Sequence, residues 1–158
     1  SDVDEFIRVV YPEPAFIDSL SDSRPIASVV PVDFELRGCP INKYQLLEVL
    51  TAMLARKTPA IPNESVCVSC KQRGLPCVMV SGGTPCLGPI THAGCGALCP
   101  AYGRGCYGCY GTKEGANPAA LASYVADEGE APADIVRLLR SFNAADPKLA
   151  EESKRHER

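Results

Sequence analysis

The chain has 158 residues, 46% hydrophobic and 22% charged, with a formal net charge of −3. That length suffices for one modest core or two small ones. No apolar run approaches the roughly 20 residues of a membrane span, and the acidic balance argues against non-specific nucleic-acid binding, which needs a basic surface.

The N-terminus, "SDVDEFIRVVYPEP", shows no basic start, apolar stretch or small-residue cleavage site of a secretory leader. It begins without Met and in mid-pattern, so the chain is expected to be a processed, split or partial piece. "DVDEFIRVV" predicts a short helix behind an Asp2 cap, stopped by Pro12 and Pro14. "PIASVVPVDFEL" alternates near "VDFEL" and predicts a strand entering Gly38-Cys39-Pro40. "NKYQLLEVLTAMLARK" is the strongest helical pattern: Asn42 caps it, and Tyr44, Leu47, Leu50, Met53 and Leu54 fall near one face. Pro59 and Pro62 then make a linker.

Cys67 to Cys109, "CVSCKQRGLPCVMVSGGTPCLGPITHAGCGALCPAYGRGCYGC", holds eight of the nine cysteines in 43 residues. It is too rich in Gly and Pro for long elements. Beyond it, "NPAALASYVADEG" and "APADIVRLLRSFNAA" predict two short amphipathic helices, starting at Asn117 and near Ala131-Pro132, and the charged "EESKRHER" is expected to fray.

Charge is spread unevenly. Residues 1–66 hold ten acids and six bases, and residues 112–158 hold nine and seven; the cysteine segment has no acid and only Lys71, Arg73 and Arg104. Carboxylates would repel metal-bound thiolates, whereas backbone N–H groups and a few cations stabilise them. Its nine glycines permit such close backbone approach.

Four readings of the cysteines compete. A disulfide framework suits small secreted chains, but the count is odd and the flanks are cysteine-poor. Isolated buried cysteines explain one or two positions. Two CxxC pairs, Cys67/Cys70 and Cys106/Cys109, could close a zinc site, but Cys77, Cys86, Cys95 and Cys99 then require a second one. Two iron–sulfur cubanes use four thiolates each and leave none of the eight over, and Cys99-Pro100 is similar to the Cys-Pro of ferredoxin motifs. Spacing favours iron–sulfur over zinc.

"VDFELRGCPINKYQLLEVLTAML" followed by "SVCVSCKQRGLPCVMVSGGTPCLGPITHAGCGALCPAYGRGCYGCYG" resembles the small, electron-transferring subunit of cytoplasmic [NiFe] hydrogenases. The likeness is to the delta-type subunit of the multimeric, NAD(P)-linked sulfhydrogenase group; F420-reducing enzymes and a subunit of respiratory complex I are more distant. It runs from about residue 1 to about residue 125, and "GCPIN", "TPCLGPIT", "GCGALCP" and "RGCYGCYG" carry it.

The resemblance implies three iron–sulfur clusters in a line. Cys39 matches the last ligand of the proximal cluster, which stands in a Gly-Cys-Pro motif between a strand and a helix of a flavodoxin-like domain. A thiolate there is stabilised by backbone N–H groups and the helix dipole. The other proximal ligands have no counterpart in residues 1–38, which contain no cysteine, and are expected upstream. In sequence order, Cys67, Cys70, Cys77 and Cys86 would hold the distal cluster, and Cys95, Cys99, Cys106 and Cys109 the medial one. Ferredoxin-like interleaving, with Cys86 or Cys99 crossing over, is the rival. Cys67 stands where many such subunits have His, and Cys99 where many have Pro, so complete four-iron clusters are implied.

Other residues have smaller roles. His92 either donates a hydrogen bond to a cluster sulfide or completes local packing. Lys71, Arg73 and Arg104 offset cluster charge or stay solvated. Tyr102, Tyr107 and Tyr110 shield the medial cluster or face a subunit interface. No phosphate loop, Ser/His/Asp set or paired carboxylates indicate independent catalysis.

The expected architecture is α/β. Residues 1–62 form the C-terminal part of a flavodoxin-like domain, 63–112 an irregular ferredoxin-like segment with two [4Fe-4S] clusters, and 113–158 a helical extension. The implied role is cytoplasmic electron relay between the nickel–iron site of a large subunit and diaphorase subunits carrying flavin and further clusters. The alternative is a stand-alone ferredoxin-like or zinc-binding interaction module.

Overall fold

The computed structural model describes residues 2–19 and 23–157. The chain divides into two compact units, Ser1–Val32 and Asp33–Arg158. In the first, α1 (Val3–Val10) starts where the Asp2 carboxylate accepts the Asp4 N–H at 3.2 Å. Asp4 and Glu5 in its first turn and Arg8 in its last complement the helix dipole. Tyr11 leaves the helix in extended backbone ahead of Pro12, and 3₁₀ turns follow at Pro14–Phe16 and Ile26–Ser28.

The second unit opens differently from expectation. "VDFEL" is not a strand: residues 34–38 carry no regular structure, and the described residues form no sheet, only the isolated bridges Ser65–His92 and Thr91–Thr112. A strand exists only when a neighbour pairs its N–H and C=O groups, and no described segment pairs with this one.

Helix α2 (Lys43–Leu54) forms as its pattern indicates, with the Asn42 side chain accepting the N–H groups of Tyr44 (2.8 Å) and Gln45 (3.3 Å). Its attached face, however, is not the apolar one. Tyr44, Leu47, Leu50, Met53 and Leu54 are all exposed, and Val49 and Ala52 are buried instead. At 3.6 residues per turn, Asn42, Gln45, Val49 and Ala52 fall in one stripe. The two amides at its head bond the cysteine segment, Asn42 Nδ2 to Gly94 O at 2.6 Å and Gln45 Nε2 to Ala93 O at 3.2 Å. Polar anchoring, which a count of apolar residues misses, decides which side faces in.

The cysteine segment contains α3 (Val66–Gln72), α4 (Val78–Gly82), a 3₁₀ turn at Gly88–Ile90 and α5 (Leu98–Ala101). After it come α6 (Pro118–Asp127), capped by Asn117, and α7 (Pro132–Arg140), following Ala131. The frayed end is replaced by an eighth helix, α8 (Pro147–Lys154), with Asp146 accepting the N–H groups of Lys148 and Leu149 and Pro147 in the first turn. Asp-Pro is an N-cap signal. Leu149 anchors α8 in the core, Arg140 Nε donates to the buried Ser153 hydroxyl at 2.8 Å, and Arg155 and His156 both lie 3.1 Å from Glu152.

One apolar core runs through this unit. Val66, Val78, Met79, Leu87 and Ile90 of the cysteine segment pack with Leu121 and Val125 of α6, Ile135 and Leu139 of α7, and Leu149 of α8. Each fully buried Leu or Ile contributes about 2 kcal/mol, so the segment rests on the C-terminal helices. Among the described residues no helix is long and apolar enough to cross a membrane.

Candidate metal centre

All nine cysteines are free thiols. Cys67 and Cys70 lie three residues apart on α3 and therefore project from one side of it. Cys77 stands at the N-cap position of α4 without a side-chain capping bond, Cys86 precedes the Gly88–Ile90 turn, and Cys99 lies in α5. Cys95, Cys106 and Cys109 sit in loops, and Cys39 lies three residues before the Asn42 cap.

Cys86 and Cys106 are buried where two loops meet backbone to backbone. The Cys86 Sγ accepts N–H groups from Cys106 (3.1 Å) and Gly88 (3.4 Å), the Cys106 Sγ accepts that of Gly108 (3.4 Å), and Leu87 N–H donates to Cys106 O (2.9 Å). Only glycine fits at 105: a Cβ there would stand 1.9 Å from the carbonyl oxygen of Pro85. At Gly88 a Cβ would lie 3.2 Å from Cys86 Sγ and 3.6 Å from Cys67 Sγ, so bare backbone faces two sulfurs. Backbone donors around sulfur, glycine clearance and the absence of carboxylates are what a cluster bound by thiolates requires.

The thiols influence one another electrostatically. Burial pushes Cys67 up, and the nearby Cys86, Cys70 and Cys77 push it further. Burial also raises Cys70, reinforced by Cys86, Cys77 and Cys95 and opposed by Arg73. Cys99 is raised by burial, then by Cys95 and Cys86, with Arg104 opposing. Burial raises Cys109 against the Cys39 N–H, with Cys95, Cys99 and Cys39 adding to the rise. Burial drives Cys106 up to about 12, against the Gly108 N–H that bonds it. Cys86 acts on Cys67, Cys70, Cys99 and Cys106, and Cys95 on Cys70, Cys99, Cys106 and Cys109, so these influences run across the whole segment and do not divide the cysteines into two sets. Burial raises Cys67, Cys70, Cys99, Cys106 and Cys109, which favours their protonated form, so metal capture at these five displaces protons and acid opposes it.

Of the lesser candidates, Arg73 donates to Gly96 O and, like Arg104, bears on a thiol, whereas Lys71 is exposed. The His92 backbone N–H donates to Gly111 O at 3.0 Å. Its ring Nδ1 and Thr112 Oγ1 are buried without a hydrogen-bond partner, and both residues line a groove of about 430 Å3 with Arg37 and Glu114. Tyr102 and Tyr107 are exposed and only Tyr110 is buried. Two contributors leave no clear trace in the sequence. Gly105 is one glycine among many, and Asn143 lies 34 residues beyond the last cysteine, yet its buried Nδ2 donates to Gly108 O at 2.8 Å and braces the Cys106–Cys109 loop.

Free thiols gathered under backbone donors and glycine clearance define a class, the cysteine-rich metalloproteins. No protein-family model matches the chain. It is 37% identical to the delta subunit of sulfhydrogenase 2 of Pyrococcus furiosus over 123 residues, 78% of this chain and 52% of that protein. It is 32% identical to the vhu G subunit of the F420-non-reducing hydrogenase of Methanocaldococcus jannaschii, across 83% of this chain and 53% of that one. With the iron-sulfur G subunit of the F420-non-reducing hydrogenase of Archaeoglobus profundus, identity is 31% over 62% of this chain and 38% of the other. The chain belongs to this family of delta-type and G-type hydrogenase small subunits. It spans about half the length of the first two of these relatives.

Proposed function

We propose that this chain is the electron-relay small subunit of a cytoplasmic [NiFe] hydrogenase, carrying electrons between the nickel–iron site of a large subunit and a flavin-containing, NAD(P)-linked diaphorase. In this reading Cys67, Cys70, Cys77 and Cys86 hold a distal [4Fe-4S] cluster, and Cys95, Cys99, Cys106 and Cys109 a medial one. Cys39 supplies one ligand to a proximal cluster whose other ligands come from outside this sequence. The Cys39 loop and α2 then belong to a flavodoxin-like α/β domain.

The junction of Cys86 and Cys106 carries the proposal. Two buried sulfurs from the two ligand sets sit under three backbone N–H groups, the donor pattern that stabilises cluster thiolates and tunes their potential. Bound clusters would supply one-electron redox chemistry, and the chain's own residues would fix their spacing, hydrogen bonding and access to water. Exposed Tyr44, Leu47, Leu50 and Leu54 of α2 offer apolar surface that assembly would cover.

The test is the anaerobically purified heteromer with a [NiFe] large subunit. Residues 67–109 should account for about eight iron atoms, and zinc in place of iron would refute the proposal. Cys39→Ser should slow transfer from H2 to an external acceptor while sparing H2/D2 exchange at nickel, which needs no relay. Loss of both with assembly intact would contradict a relay.

A further inference from the structure

The loops that carry Cys39, Cys95 and Cys109 meet on one side chain. Tyr110 follows Cys109 directly and is only 5% exposed. Its hydroxyl donates to Pro40 O at 2.7 Å, one residue beyond Cys39. Its ring lies against Gly94, next to Cys95, where a Cβ would stand 2.2 Å from the Tyr110 Cε1. The ring also faces Gly38, where a Cβ would lie 3.0 Å from Cζ. Side-chain bonds from Asn42 and Gln45 to Gly94 O and Ala93 O hold the same loop.

We infer that Tyr110 is the spacer that fixes Cys39 against Cys95 and Cys109, and so sets the electronic coupling between the two clusters these cysteines are proposed to hold. The inference rests on the proposed relay. An aromatic ring has few rotamers, and one pressed between two glycine backbones cannot swing aside without opening the loops. The hydroxyl bond stops the Gly38–Pro40 loop from lifting off. Electronic coupling decays steeply with separation, so a loop free to move is a slower link. In this role Tyr110 is a positioning residue, acting through the loops it holds together. A water shield would need only the ring, whereas a spacer needs the hydroxyl as well. That difference makes the inference testable.

The experiment compares wild type, Tyr110→Phe and Tyr110→Leu in the anaerobic heteromer. For Tyr110→Phe, iron content and the EPR g-values of each cluster should match wild type. The magnetic splitting between the reduced cluster at Cys39 and that at Cys95 and Cys109 should shrink. Amide exchange across residues 38–41 should accelerate about fivefold, the factor corresponding to one typical hydrogen bond. Tyr110→Leu, which removes the ring too, should change both readouts further. Unchanged splitting and exchange in Tyr110→Phe would overturn the spacer while leaving the relay intact. Iron loss from Tyr110→Phe would also overturn it, making Tyr110 an assembly residue. Absence of iron at these cysteines in wild type would instead overturn the relay, and the spacer with it.

Discussion

Leu139 of α7 is 1% exposed and Leu54 of α2 is 88% exposed, although each sits near the end of a well-formed helix. Around Leu139 the C-terminal helices and the cysteine loops share a close-packed interior. Around Leu54 the helix turns its greasiest side to solvent and is held through Asn42 and Gln45 on its other side. Leucines on two helices of one unit thus serve opposite ends: one fixes loops that carry thiols, the other remains available for contact. The amphipathic pattern that defines a helix does not say which of its faces the fold will use.

Substitutions at four positions would break or sharpen that contrast, read as the stability of the anaerobic, metal-loaded protein. Gly105→Ala should be the most damaging, because its Cβ would drive into the Pro85 carbonyl where the loops of Cys86 and Cys106 touch. A loss on the order of 4 kcal/mol, with iron released, is expected, and a stable iron-replete variant would show that the loops can separate freely. Leu139→Ala should cost about 3 kcal/mol through the cavity it leaves. If iron retention is insensitive to that change, the C-terminal helices do not support the cysteine loops. Asn143→Ala leaves the Gly108 carbonyl without its buried donor and should cost about 1.5 kcal/mol. Asn143→Asp, which cannot donate from that position, should behave alike, and full stability in both would remove Asn143 as a brace. Leu54→Ala should cost less than about 0.5 kcal/mol; a loss as large as that of Leu139→Ala would erase the contrast between the two helices.

Much of this organisation is legible in the sequence, for reasons that differ by element. Asp2, Asn42 and Asn117 are side-chain caps, a local interaction that needs no knowledge of the rest of the chain, and all three open helices. The cysteine segment is conspicuous by composition, with eight of the nine cysteines in 43 residues. The failures are non-local. "VDFEL" has strand character, but pairing depends on a partner that the described residues do not provide. The α8 helix is obscured by its charged end, although Asp146-Pro147 marks its start and Leu149 its anchor. Gly105 and Asn143 matter through contacts made across 20 and 35 residues, which no short window contains. Tyr110 is legible as an aromatic beside the cysteines but not as the point where three loops meet.

The shared core also bears on modularity. Residues 63–112 contain eight of the nine thiols and look like a cassette that could be moved between proteins. Transplanted alone, the cassette would arrive without Ile135, Leu139 and Leu149, which close its interior, and without the Asn143 amide bonded to the Gly108 carbonyl. The cysteines are contiguous in sequence, but the smallest heritable unit of this fold reaches past them to α8.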